Sequence, residues 1–339
     1  MKAVTSFAGL NGFVWWIGVV ENRMDPLNMG RCQIRVFGWH TDNLAQIPTA
    51  DLPWCQAITG TNNSDVSKAP HEGEWVFGFF LDGESGQMPL YMGVIPGIPH
   101  VAADQSKGFS DQRTSDQVSN SPSGHLYPLY LDEPTTSRLY RNEKIDQTII
   151  QKQIDSVKTG IPIANGGTWD QPKPAYATVP PYNDVKETES GHVMEFDDTK
   201  GAERIHIYHK SGTFEELRPD GSKIISVIGD NYTISLKDDN LYVSGKLSIT
   251  ADGDINLKSG GKLNIQIDSD ADINVSGDVN MTVSGKFVAS ASEFDLTGPV
   301  NVTGPITATE DITAGTVSLQ NHKTTLVKSG SDLSGPPLP

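Results

Sequence analysis

His206-Ile-Tyr-His209 is the first group in this sequence that could do chemistry, because paired imidazoles readily hold a transition metal. On a strand, residues three apart face opposite sides, so the two rings cannot share an ion and both read as structural. Cys32 and Cys55 lack the paired spacing of a zinc site or a redox motif. Cys32 alternates with Ile34 and Val36, which puts all three on one strand face and predicts a buried, reduced thiol. Carboxylates are plentiful, but glycosidase chemistry needs two of them held ~5–10 Å apart on a rigid frame. Here they fall at the outward positions of repeats or in polar loops. No Gly-x-Ser-x-Gly elbow, HExxH pair or GxxxxGK[ST] phosphate cradle occurs. The residues therefore predict no catalytic group, no cofactor-binding group and no enzyme activity.

Charge narrows the classes further. The 42 acidic residues outnumber the 26 basic ones, and a formal charge of −16 repels nucleic-acid phosphates and anionic headgroups alike. The apolar run FVWWIGVV at 13–20 falls short of the ~20 residues a spanning helix needs. No small-residue cleavage site follows it, so the expectation is a chain without secretion signal or anchor that folds in the cytoplasm where it is made.

The 339 residues suffice for two or three domains. Within residues 1–100, the stretches WWIGVVEN, GRCQIRVFGW, LPWCQAI, GEWVFGFFLDG and PLYMGVIPG read as five short strands rich in aromatic and β-branched side chains. Five such strands suit a small barrel of the oligonucleotide-binding (OB) type. Nucleic-acid binding on it would need basic residues among exposed aromatics. Only Arg23, Arg31, Arg35 and Lys68 are basic within 13–99, so the aromatics read as core or subunit packing. Residues 101–185 are polar and proline-rich and read as a linker. Ile145, Ile149, Ile150, Ile154 and Val157 fall at helical spacing within it, a short amphipathic helix able to pack on a neighbouring subunit.

From 186 to 226 strand alternation begins, as in HVMEFDD and RIHIYHK, and from Val227 to 292 the chain repeats every eight residues. Gly229, Gly245, Gly253, Gly261, Gly277 and Gly285 take the third place of their octads and read as corners. The predicted inward side chains are Val243, Leu247, Ile249, Ile255, Leu257, Leu263, Ile265, Ile273, Val275, Val279, Met281 and Val283. One octad supplies about a strand and a corner, too little to enclose a core alone, so burial requires stacking. Three chains wound together would bury these positions along a common axis. The expected class is all-β: an OB barrel, a linker with a short helix, and an intertwined triple-stranded β-helix in a homotrimer. At Phe294 and Leu296 the parity slips, and from Gly298 the spacing shortens to six, GPVNVT, GPITAT, EDITAG, which predicts a narrowing tip over 293–339.

WWIGVVENRMDPLNMGRCQIRVFGWHTD, IPTADLPWCQAI and EGEWVFGFFLDG resemble the N-terminal barrel of the central spike, or cell-puncturing, proteins of T-even-like contractile-tailed phages. PYNDVKETESGHVMEFDDTKGAERIHIYHKSGTFEELRPDGS at 181–222 is similar to that family's lead-in to its β-helix, and the octads to its shaft. The DP-x-x-x-GR turn at 25–31 is shared with the valine-glycine repeat spikes of type VI secretion.

The resemblance implies a virion protein, a homotrimer at the baseplate centre. Its barrels would plug into a hub ring, and its shaft would be driven through the host outer membrane by sheath contraction. That mechanical drive needs no electrostatic attraction and no nucleic acid. The family's lysozyme domain has no counterpart in residues 100–180, so no peptidoglycan cleavage is expected. Related short spikes end in His-x-His, which holds an iron at the tip; here His322 is present and Thr324 stands at the second place. His322 alone is thus the candidate ligand for a tip or axial ion, and three copies would suit an open site rather than a closed octahedral one. The favoured expectation is a blunt tip without cofactor that receives a separate cap protein of the PAAR type.

Overall fold

The computed structural model describes residues 13–60, 69–96, 136–137, 139–140, 149–188 and 190–320. Lys68, most of the polar linker, Ile145 and the tip with His322 and Thr324 lie outside the described residues. By internal packing the chain divides into Met1–Asn256 and Leu257–Pro339.

All five anticipated strands form: β1 (Trp15–Asn22), β2 (Cys32–Val36), β3 (Trp54–Ala57), β4 (Trp75–Phe80) and β5 (Pro89–Ile95). They close into a barrel in the order β1-β2-β3-β5-β4, with β4 returning to β1 and β3 running parallel to β5. Trp16, Val20, Cys32, Ile34, Val36, Cys55, Val76, Phe80 and Tyr91 fill the interior. So narrow a barrel has room for large side chains only opposite small ones. Trp16 sits across from Gly78, where an added Cβ would lie 2.4 Å from the indole and 2.3 Å from the Leu90 carbonyl oxygen. Cys32 and Cys55 are direct cross-strand partners, both free and buried. Burial pushes the Cys32 thiol up to about 12 and the Cys55 thiol higher still, so both are inert hydrophobes here.

The helix expected in the linker is α1 (Ile149–Asp155). It does not wait for a neighbouring subunit: Ile149 and Ile150 are buried against Val193, Tyr208 and Phe214 of the chain's own sheet, and Ile154 packs beside them. A short hairpin of β6 (Ile161–Pro162) and β7 (Thr168–Trp169) follows. β8 (Asn183–Glu187), β9 (Val193–Asp197), β10 (Arg204–Tyr208), β11 (Phe214–Leu217) and β12 (Lys223–Ser226) then form a five-stranded antiparallel meander in sequence order. The sheet starts at Asn183, three residues ahead of the boundary read from the sequence, because Asn183 and Asp184 already pair with Asp197 and Phe196.

Beyond β12 the chain forms no strand pair until Thr313. It runs as extended stretches between bends at 228–229, 236–237, 244–245, 252–253, 260–261, 268–269, 276–277 and 284–285, a spacing of eight. The following bends fall at 292, 298, 303–304 and 309–310, a spacing near six. Residues 228–317 are all exposed. A small hairpin, β13 (Thr313–Ala314) and β14 (Val317–Ser318), turns at Gly315, whose φ of 62° suits glycine. No residue pattern signalled this hairpin.

Candidate functional site

The chain presents three features with the makings of a working surface: an aromatic barrel exterior, an ionic cluster beneath the sheet, and the octads. On the barrel, alternation sends Trp15, Phe77, Phe79 and Trp75 outward from β1 and β4. Trp15 stacks on Phe77 with centroids 6.0 Å apart, Phe13 tilts against Phe79 at 5.1 Å, and Phe37 meets Trp75 edge-on at 4.9 Å. Phe13 and Trp15 remain more than half exposed. The aromatics thus split between the two sides of the barrel wall, core inward and a contact surface outward.

Beside this surface the β1–β2 loop is built on Asp25. Its carboxylate accepts hydrogen bonds from the backbone N–H groups of Leu27, Met29 and Arg31 and a forked pair from the Arg31 guanidinium, with Nη2 at 2.6 Å. The Arg31 partner holds the Asp25 carboxyl well below the usual carboxylate range. Asn28 and Gly30 take left-handed φ angles to make the loop possible. The DP-x-x-x-GR spacing is therefore a wiring diagram for a fixed loop, and its tip exposes Met24, Leu27 and Met29. Arg31 also lies over Trp54 at 5.4 Å. Arg23 and Arg35 are likewise paired, with Glu72 at 3.1 Å and with Glu21, so three of the barrel's four basic residues face carboxylates rather than solvent.

Beneath the sheet lies the cluster that reading by alternation missed. Arg204 joins Glu195 on β9 to Glu216 on β11, with Nη1–Oε2 of Glu216 at 3.3 Å and Nη2 in contact with Glu195, all three side chains fully buried. Arg204 stacks under Tyr176 at 5.0 Å, and Glu216 accepts the Ala175 N–H at 3.1 Å. His206 Nε2 pairs with Gln153 Nε2 of α1 at 2.7 Å. Burial, with Arg204 adding to it, holds His206 neutral by pushing it down to about 3, while burial raises Glu195. His206 is thus buried and His209 exposed, on opposite faces as the interval of three requires.

His209 instead meets His192 across the β9–β10 pair, centroids 4.5 Å apart. Each accepts a backbone N–H at Nδ1, from Ser211 and Lys210 respectively. Among the described residues no group of three or more His, Cys, Asp or Glu is placed to hold a metal. The signal that could have revealed the cluster is charge complementarity: Glu195, Arg204 and Glu216 each take the place in their own strand next to an apolar residue, Phe196, Ile205 and Leu217, that alternation sends to the other face.

The six octad glycines each occupy the second residue of a bend, but none has a φ in the left-handed range. Lys237 and Ser269 take the same place in their own bends without such a φ. The corner therefore does not demand glycine for its backbone angles, and what distinguishes these positions is the missing side chain. Gly298, where the spacing becomes six, does have a positive φ, 124°. The twelve apolar octad residues, from Val243 at 42 % to Ile273 at 85 %, are exposed in the single chain.

Comparison with known proteins adds the lineage. Residues 38–175 match the family described as the Gp5 N-terminal OB domain. Protein Gp5 of Vibrio phage KVP40 is 40 % identical over 287 residues, 73 % of this chain and 65 % of that protein. The pre-baseplate central spike protein Gp5 of Enterobacteria phage T4 is 38 % identical over 112 residues, 30 % of this chain and 19 % of that protein. The matched stretch thus spans just under two thirds of the KVP40 protein and about a fifth of the T4 protein. Residues 38–175 take in β3, β4 and β5 of the closed five-stranded barrel, and over the matched stretches the chain is similar to the phage Gp5 proteins.

Proposed function

We propose that this chain is the structural spike at the centre of a contractile phage baseplate, a homotrimer whose shaft is driven through the host outer membrane. The observation that carries the reading is the stretch 228–317: extended, bent every eight and then every six residues, exposed throughout, and without a strand partner in its own chain until the last hairpin. An extended backbone with alternate apolar side chains is stable only when other strands satisfy both. Two further copies in parallel supply such strands at every bend. The side-chain-free corners then let three chains turn closely about one axis. Val243, Leu247, Ile249 and the other inward octad residues become its core, and the shorter spacing after Gly298 narrows it.

The barrel fits the anchoring role. Its exposed aromatics and the Met24–Leu27–Met29 loop tip form a firm apolar contact surface for a hub ring, while its paired arginines offer little to nucleic acid. A purely mechanical part needs no catalytic group. The most tightly set carboxylates described, Glu195 and Glu216, are engaged by Arg204 with no solvent access, unlike an acid–base pair that must reach substrate. The tip, with His322 as its one candidate ligand for an ion and a PAAR-type cap as its expected partner, completes the proposal.

Light scattering on the purified protein tests it, together with mobility in unheated SDS. Three chains of 36.7 kDa give ~110 kDa, and the species should resist SDS. A stable monomer would remove the basis of the spike reading, and a cleared band on a peptidoglycan zymogram would refute the non-enzymatic part.

A further inference from the structure

The β6–β7 hairpin is closed at both ends by hydrogen bonds, yet it belongs to neither of the chain's apolar cores. At its tip the Ile163 N–H donates to the Gly167 carbonyl at 2.9 Å, and Gly166 turns the chain with a φ of 82°. At its base the Gln171 N–H donates to the Lys158 carbonyl at 2.8 Å, and the Gly160 N–H donates to the Asp170 carboxylate at 2.7 Å. Ile161 lies opposite Trp169 across the pair, and Trp169 is 47 % exposed. A lone two-stranded hairpin is marginal in water, so one this regular needs a surface to lean on. The Thr250 hydroxyl identifies that surface. Thr250 ends the octad 243–250, and its hydroxyl donates to the Pro162 carbonyl at 2.7 Å across 88 residues of sequence.

We propose that the hairpin is a bracket seated on the outer surface of the shaft, tying the chain ahead of the meander to its own octads around Thr250. Parity supports the assignment. Over 243–289 the inward octad places are odd-numbered, so Thr250 takes an outward place, in one row with Lys246 and Ser248. A partner that engages Thr250 covers the outside of the octads and leaves the inward row to other copies. The inference rests on the spike reading in this respect alone, since that reading decides which side of the octads is outward.

The arm is fixed at both roots. Ahead of it, α1 is buried on the meander through Ile149 and Ile150 and by the Gln153–His206 contact. Behind it, Tyr176 lies against the Arg204 guanidinium at 5.0 Å, and the Ala175 N–H donates to Glu216 at 3.1 Å. Residues 158–171 project between these anchors. Their edge suits the row they meet. Pro162 has no N–H, so at that place the edge offers a carbonyl oxygen alone, which hydroxyl and ammonium donors satisfy without leaving a donor unpaired. Lys246, Ser248 and Thr250 supply such donors. A shaft under side load bends most near its root, and there the bracket ties the octads back to the α1-bearing side of the sheet.

Cross-linking of the full-length protein tests the bracket. Pro162→Cys with Thr250→Cys, treated with a short bismaleimide, should give a product that runs as one chain in boiled SDS and yields a peptide joining positions 162 and 250. Lys200→Cys with Thr250→Cys is the control, because the β9–β10 turn lies at the far end of the sheet from Thr213, whose hydroxyl receives the Ile228 N–H. The control pair should link roughly ten-fold less, as its lower effective concentration requires. Cys32 and Cys55 stay silent because they are fully buried. Hydrogen exchange reads the same contact without cysteines. Thr250→Arg places a bulky side chain where the hairpin sits and spares the inward row, so the amides of Ile163, Gly166 and Gln171 should exchange roughly ten-fold faster while those of β9 and β10 keep their rates. A trimer in which 162 and 250 link no better than the control pair, or in which the hairpin amides ignore Thr250→Arg, would overturn the bracket and leave the spike reading intact. Dimers in boiled SDS would give the hairpin to a neighbouring copy's octads and overturn the same-chain assignment. A monomeric wild type would overturn the spike reading, and with it the outward sense of the contact, even if the link formed.

Discussion

Gly78 is the residue whose replacement the barrel should tolerate least for its size. Gly78→Ala places a Cβ 2.3 Å from the Leu90 carbonyl oxygen and 2.4–2.5 Å from two atoms of the Trp16 indole. Comfortable contact lies near ~3.5 Å, so either the β4–β5 pair or the indole must shift by about 1 Å. The indole is held between β1 and Phe80, and Leu90 is bonded in the sheet, so neither moves freely. Overpacking of this kind costs about 1–3 kcal/mol, and with backbone as the obstacle the upper end applies. For a domain of this size each kcal/mol is ~4–8 °C, so the barrel should melt roughly 12–24 °C lower. Five of the six tryptophans, at 15, 16, 39, 54 and 75, belong to the barrel, so intrinsic fluorescence reports its melting almost alone. Gly93→Ala on β5, where an added Cβ meets nothing within 4 Å, is the control and should be neutral or slightly stabilising. The packing argument fails if Gly78→Ala melts with the wild type, or if Gly93→Ala is equally damaging.

Four other outcomes follow from the same geometry. Arg204→Met leaves Glu195 buried without a charged partner and Glu216 with only Arg218 at 3.9 Å, and should destabilise the sheet by about 3–5 kcal/mol in denaturant unfolding, with much of the loss recovered when both glutamates also become Gln. His206 is held neutral when folded, with its pKa lowered from 6.5 to about 3, so unfolding takes up a proton as pH falls through that window. Its contribution to stability should be complete above pH ~6.5, fall by up to ~1.4 kcal/mol per pH unit toward pH 3, and vanish in His206→Gln when urea midpoints are compared. Cys32 and Cys55 should resist Ellman's reagent in the native protein and react together once the barrel unfolds, so rapid native reaction would contradict their burial. Leu247→Asp, at an inward octad position, should abolish SDS resistance while leaving the fluorescence melt of the barrel unchanged.

Much of the fold was legible because it depends on local pattern. The five barrel strands show as aromatic and β-branched runs punctuated by turn residues, and each appeared within its stretch. The octads announce themselves because a bend every eight residues imposes a residue choice every eight, and the change to six at Gly298 is written in both sequence and backbone. The sheet was legible as strands but not in its polarity. Alternation marks Met194, Phe196, Ile205 and Ile207 as one face and Glu195, Arg204 and His206 as the other, but it cannot say which is covered. That was decided by α1, whose Gln153 and isoleucines close over the charged side. The octad glycines fall in bends, but none of them has a left-handed backbone. The Asp25 loop shows what a motif conceals: its spacing is visible in sequence, while the carboxylate that organises three backbone groups and an arginine is visible only in three dimensions.

The near-equivalence of the octads bears on how three such chains could ever align. Copies that first touched within residues 243–289 would find a slip of eight residues almost as satisfactory as the true pairing, since the inward places there are all small or apolar side chains. Repetition alone is thus a poor ruler. The meander ahead of it does not repeat, folds on contacts within its own chain, and ends two residues before the first bend. In the proposed trimer, three copies brought together there would begin winding in step, and the repeats would need only to continue the count.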